Sequence, residues 1–124
     1  MPFVRYALVP LAMIAAAPSV AVERIDVALS NFKFTPSTIH LKHGQPYVLH
    51  LTSSGSHSFE AKTFFAAATI APGDQATITK GKIELNSDHA VDIHLTAPAA
   101  GTYPIRCTHP LHASFGMTGK IIVD

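Results

Sequence analysis

The chain has 124 residues, 48% hydrophobic and 14% charged, with nine Lys plus Arg against eight Asp plus Glu and a net charge of +1 at neutral pH. That length suits one domain with a buried core. So even a charge balance, with no basic stripe interleaved with aromatics and no glycine-rich phosphate loop, offers nothing to a nucleic acid, a nucleotide or a polyanion.

The first 21 residues, MPFVRYALVPLAMIAAAPSVA, carry one early cation at Arg5, an apolar run from Ala7 to Ala17 and the small-x-small ending Ser19-Val20-Ala21. A secretory signal peptide is built in this way, so cleavage is expected after Ala21, with export to the periplasm. A membrane anchor would need roughly 20 apolar residues in succession, and this shorter run is interrupted by Pro10. Removal of residues 1–21 takes away Arg5 and leaves eight Lys plus Arg against eight Asp plus Glu, so the expected mature domain, 22–124, is close to neutral.

Past residue 21 the chain falls into short runs with period-two alternation, cut by Pro, Gly, Ser and Asn clusters, which predicts an all-β fold. Strands are expected over 24–31, 37–43, 46–53, 57–62, 75–85, 90–96, 102–107 and 119–123. Segment 63–71, TFFAAATIA, stays open between a short helix, which its alanines permit, and a strand, which its phenylalanines permit. Seven or eight short strands in such a length predict a β-sandwich or a barrel-like sandwich. In the strand ending at 107, Tyr103, Ile105 and Cys107 share one face while Thr102, Pro104 and Arg106 share the other, so Cys107 points inward where a loop begins.

Cys107 is the sole cysteine, and past residue 21 Met117 is the sole methionine. An exported chain normally pairs its cysteines, so a lone one is a thiol bonded to another chain, a buried small hydrophobe or a metal ligand. Its neighbours favour the last, because the stretch CTHPLHASFGM at 107–117 sets a thiol, two imidazoles and a thioether within one loop. Soft thiolate, imidazole and a weak thioether together select copper, whereas zinc accepts Cys and His but gains nothing from the thioether. Two His, one Cys and a distant axial Met make the blue-copper donor set.

Of the two loop histidines, His109 precedes Pro110, whose ring holds its predecessor extended and ill placed to bend back to the same ion. His112 has five residues in which the chain can turn, and Gly116 frees the backbone to bring Met117 to the site. The further imidazole is expected from His57, which follows the Ser53-Ser54-Gly55 turn at one end of the sandwich. His40, His43, His50, His89 and His94 are expected to be solvated or on strand faces, with His50 outward by its alternation against Tyr47, Leu49 and Leu51.

The segment GTYPIRCTHPLHASFGMTGKIIV resembles the copper-binding strand, loop and strand of the cupredoxins, the small blue copper proteins, with the Cys-to-His and His-to-Met spacing of the rusticyanin and auracyanin type. SHSF at 56–59 resembles the segment carrying the family's first His, and the likeness extends from about Ile25 to the end of the chain. The resemblance implies a Greek-key β-sandwich of about eight strands, with one mononuclear copper near one end held by His57, Cys107, His112 and Met117. Ser58 stands where many members carry Asn, so a hydroxyl would have to brace the ligand loops. Leu111 stands where Gly commonly precedes the loop His, and His109 is an additional imidazole.

Four protein donors leave no open position for a substrate, so the expectation is an electron carrier and not an enzyme. The chain is expected to be a monomer that meets a transient redox protein partner near Pro110, Leu111 and Phe115, around the edge of His112. The alternative is a periplasmic copper carrier or scavenger, with His109 relaying the ion.

Overall fold

The computed structural model describes residues 2–5, 7, 9–11 and 21–124, so most of the apolar run assigned to the signal peptide lies outside the described residues. The strands in chain order are β1 (Glu23–Ser30), β2 (Lys33–Thr35), β3 (Thr38–Leu41), β4 (Pro46–Ser53), β5 (His57–Glu60), β6 (Thr69–Ile70), β7 (Lys82–Leu85), β8 (Val91–Thr96), β9 (Gly101–Arg106) and β10 (Thr118–Val123). One helix, α1 (Lys62–Ala67), separates β5 from β6, and a 3-10 helix at Pro72–Thr77 follows β6. Sheet one runs β2-β1-β4-β8-β6 and sheet two runs β3-β10-β9-β5-β7.

The two sheets face each other because their strands alternate. In sheet one Val27, Leu29, Tyr47, Leu49, Leu51, Ile93 and Leu95 turn inward, and in sheet two Ile39, Leu41, Phe59, Ile83, Leu85, Ile105, Ile121 and Val123 do the same. Phe34 bridges the layers by meeting Phe59 edge to face at 5.7 Å. Each such side chain contributes about 1.5 to 3 kcal/mol by leaving water, and together they hold the ends of the strands rigidly enough to carry a site. Two pairs are parallel, β1 with β4 and β3 with β10, which requires the chain to cross between sheets.

Among the described residues ten strands stand where about eight are expected, because β2 and β6 are very short edge strands that alternation over so few residues cannot announce. The open segment 63–71 contains both possibilities. Helix α1 buries Phe64 and Phe65, with Phe64 edge-on to Tyr103 at 5.6 Å, and β6 follows at once.

The expected strand 75–85 survives only as β7. Pro72, with its fixed φ, starts the 3-10 helix, and Asp74 then accepts hydrogen bonds from the backbone N–H of His94 at 2.8 Å and from its ring Nδ1 at 2.9 Å. Further on, Lys80 and Gly81 both have positive φ, 52° and 76°, between reciprocal hydrogen bonds of Thr79 and Lys82. That is a two-residue hairpin of the primed type, which reverses the chain in the middle of the expected strand.

The Asp74 carboxyl lies below the usual carboxylate range, first because the His94 backbone N–H bonds it and next because the His94 ring does. A depressed carboxyl stabilises the fold above the ordinary aspartate value of about 3.9 and loses that contribution as pH falls through its folded value. Asp74→Asn is therefore expected to lower the melting temperature at pH 6 and to narrow the difference from the parent near pH 3. A constant difference across that range, measured by thermal melts, would refute this role.

His50 lies on the outward face of sheet one, as expected, with its Nδ1 against Asp92. No helix among the described residues is long and apolar enough to cross a membrane.

Candidate metal centre

Three strand ends of sheet two meet at one edge of the sandwich. His57 is the first residue of β5, Cys107 follows the last residue of β9, and Met117 precedes the first residue of β10. All three side chains are no more than 1% exposed, whereas His112, on the loop between Cys107 and Met117, is half-buried. The inward direction of Cys107 agrees with the alternation of β9, whose Ile105 is buried while Thr102, Pro104 and Arg106 are exposed.

The donor atoms converge. His57 Nδ1 is 3.2 Å from His112 Nδ1 and 4.0 Å from Cys107 Sγ, and His112 Nδ1 is 3.4 Å from that sulfur. Among the described residues this is the one group of three or more His, Cys, Asp or Glu whose donor atoms crowd so closely. A triangle with sides of 3.2, 3.4 and 4.0 Å has a point equidistant from its corners at about 2.1 Å, inside the range of about 2.0 to 2.3 Å for nitrogen and sulfur bonds to a first-row ion. One thiolate and two imidazoles at that spacing fit a soft-leaning transition metal.

The loop is shaped to deliver these groups. Cys107 N–H donates to the Met117 carbonyl at 3.1 Å, which closes the loop at its stem, and Met117 N–H donates to the His112 carbonyl at 2.9 Å. Gly116 has φ +95°, as a loop turning this tightly requires. Leu111 has φ +66° without glycine's freedom, a conformation that costs an L side chain about 1 to 2 kcal/mol. It directly precedes His112 in the loop.

Ser58 is the brace. It is fully buried, its backbone N–H donates to Cys107 Sγ at 3.4 Å, and its hydroxyl accepts from Thr108 N–H at 2.7 Å and meets the Thr108 hydroxyl at 2.8 Å. A hydroxyl thus ties the His57 strand to the Cys107 strand, as the departure at this position anticipates. Thr108 is its necessary partner, and only the fold reveals that.

The imidazole of His57 is held below its usual range, first by burial and then by the charges of His112 and His109, so it stays neutral with a lone pair free. His109 does not join the donor triangle. Its Nε2 pairs with Glu84 Oε2 at 2.8 Å, and its ring centroid is 5.5 Å from that of His112 and 6.4 Å from that of His57. Burial pushes the Glu84 carboxyl up, but hydrogen bonds from His109 and Lys82 and their charges outweigh it and leave the group below its usual range.

Around the loop, Leu111 and Phe115 are 66% and 63% exposed, and Phe32 is 41% exposed. Phe32 is the residue that sequence reasoning misses. It occupies the two-residue turn between β1 and β2 at φ +64°, with its ring edge-on to His112 at 5.4 Å and tilted against Phe115 at 5.1 Å. No local pattern marks it, because its importance comes from a loop eighty residues away.

Residues 21–124 match the family described as copper binding proteins, plastocyanin/azurin family. Auracyanin-A of Chloroflexus aurantiacus is 40% identical over 58 residues, a match that spans 47% of this chain and 35% of that relative's length. Among solved structures, auracyanin B superposes with a TM-score of 0.57 at 17% identity, covering 90% of this chain and 93% of that one. Dithionite-reduced auracyanin from the photosynthetic bacterium Roseiflexus castenholzii gives a TM-score of 0.57 at 20% identity over 86% of this chain and 99% of its own. Auracyanin A, a "blue" copper protein from Chloroflexus aurantiacus, gives 0.57 at 21% identity over 82% and 98%. At such identities the structural likeness speaks for the fold alone. The family match over nearly the whole described domain, taken with a donor set that fits the metal, places this chain among the copper binding proteins of the plastocyanin/azurin family, with one copper ion per chain as its cofactor.

Proposed function

We propose that this protein is an exported carrier of single electrons, holding its copper through His57 Nδ1, Cys107 Sγ, His112 Nδ1 and the thioether of Met117. The donor triangle carries this reading, since three protein donors already stand at bonding distance from a common point. Bound copper supplies one-electron chemistry between Cu(I) and Cu(II). The chain's own part is to keep the donors still. Ser58 fixes the Cys107 end of the site, the Cys107 to Met117 hydrogen bond fixes the loop, and burial excludes water, so little has to rearrange when the electron arrives or leaves.

With its Nδ1 turned inward, His112 presents its far edge toward the apolar group of Leu111, Phe115 and Phe32. A small apolar surface over a ligand suits brief contact with a redox protein, because weak electron-transfer interfaces are small. The signal-like residues 1–21 support export to the periplasm, and with all four donors from the protein no position is left for a substrate. The competing reading, a copper carrier or scavenger, asks His109 to relay the ion, and the engagement of its Nε2 with Glu84 disfavours that role.

Visible and electron paramagnetic resonance spectra of the Cu(II) form test the proposal. An intense thiolate-to-copper band that bleaches reversibly on reduction is the expected result. Colourless protein that takes only Cu(I) and yields it to a chelator would instead mean a copper carrier.

Two variants sharpen the assignment. Met117→Leu is expected to keep copper and its colour while raising the reduction potential, because the axial ligand tunes that potential, and voltammetry showing a fall would contradict it. His109→Ala is expected to leave the visible spectrum nearly unchanged, and loss of the band would move the ligand role from His112 to His109.

A further inference from the structure

The near-zero net charge of the domain conceals a separation. On or at the rim of the outward face of sheet two stand Lys42, Lys62, Lys80, Lys82, Arg106 and Lys120, six cations accompanied by three carboxylates, Glu60, Glu84 and Asp124, which is a net +3. The outward face of sheet one and its flank carry Arg24 and Lys33 against Asp26, Asp74 and Asp92, a net −1. The fold creates this difference from strands distant in sequence.

The cations of sheet two around Glu60 are contiguous. Glu60 lies opposite both Lys82 and Arg106 in the strand register, and Gly81 packs so closely on Lys62 that an added Cβ would come within 2.7 Å of the Lys62 Cα. Glu60 is paired with Arg106 at 2.8 Å and lies 3.9 Å from Lys62, yet it is only 12% exposed where the cations are 56% and 63% exposed. The Glu60 carboxylate is sunk beneath its partners, so solvent there meets positive charge, whereas Glu84, 55% exposed, is engaged by Lys82 at 3.3 Å and by His109 at 2.8 Å. A cleft of about 410 Å³ opens here, lined by Glu60, Lys62, Pro104, Arg106 and Thr118. Arg106 directly precedes Cys107, so the cleft flanks the metal end of the sandwich.

We propose that this face docks an acidic protein partner and aligns the metal end against it, an inference that rests on the electron-carrier reading. A patch of one sign raises the encounter rate with an oppositely charged surface even when net charge is near zero, and its range is the Debye length, about 10 Å at 0.1 M salt. The cationic face supplies the approach, and the apolar group over His112 supplies the contact.

The probe is a decaglutamate peptide titrated into the ¹⁵N-labelled Cu(I) protein, read by amide chemical shifts at about 20 mM and about 200 mM salt. Shifts are expected to gather at Lys62, Lys82, Arg106 and Lys120 and to vanish at the higher salt. Lys62→Glu combined with Lys120→Glu takes the face from +3 to −1 and is expected to weaken the peptide about tenfold at low salt. Shifts absent at low salt, shifts gathered on the face of His50 and His94, or an unweakened double variant would overturn the proposal. So would binding to phosphatidylglycerol vesicles at low salt without binding to the peptide, which would make the face a membrane contact. The visible band of the same protein after reoxidation to Cu(II) reports on the electron-carrier reading separately, since its absence in the parent refutes that reading whatever the peptide does.

Discussion

Cys107→Ser is expected to abolish the intense visible band of the Cu(II) form outright while the apo domain still folds. Cys107 is the only soft anionic donor among the converging groups, and the band arises from its thiolate. Serine is of similar size, and the backbone N–H of Ser58, 3.4 Å from the sulfur, can donate to the new hydroxyl, so the buried group is not orphaned. The expected loss of apo stability is about 1 kcal/mol. Visible absorption checks the first half and thermal melts of apo protein the second. A surviving intense band would remove Cys107 from the site, and an unfolded variant would mean that the thiol is chiefly a packing element.

Gly119→Ala is expected to cost more stability than an added methyl at any other glycine of the domain. A Cβ at Gly119 would stand 2.3 Å from the Ser37 carbonyl oxygen and 3.0 Å from two side-chain carbons of Ile105. Neither neighbour yields readily, because the Ser37 carbonyl accepts the Lys120 N–H at 2.9 Å and Ile105 is buried in the core. Overpacking against backbone is expected to cost about 3 kcal/mol and to lower the melting temperature by more than about 10 °C. A change within about 2 °C would show that β3 and β10 can part without cost.

The direction of Cys107 could be read from the sequence because β9 alternates strictly, and a period of two leaves no choice of face. The choice of His112 over His109 was likewise available from Pro110, a local steric fact. What escaped was set by tertiary contacts. Alternation in QATITKGKIEL looks like one long strand, but Asp74 is captured by His94 from β8, and the Lys80-Gly81 reversal lacks the Asn-Gly or Asp-Gly signal that usually marks such a turn. Phe32, Thr108 and Glu84 entered the site's surroundings through partners 80, 50 and 25 residues away, and no window along the chain contains both members of those pairs.

The hydrogen bond from Cys107 to Met117 divides the metal end into two regions with different evolutionary freedom. On the strand side of this bond His57, Cys107 and Met117 are fixed by burial, and a change there is penalised by the whole core. On its loop side, Pro110, Leu111 and Phe115 are exposed, so their replacement costs little stability. A lineage can therefore rewrite the exposed surface around His112 while leaving the three buried donors untouched, which lets one copper-binding fold acquire a new outer face by a handful of substitutions in a single loop.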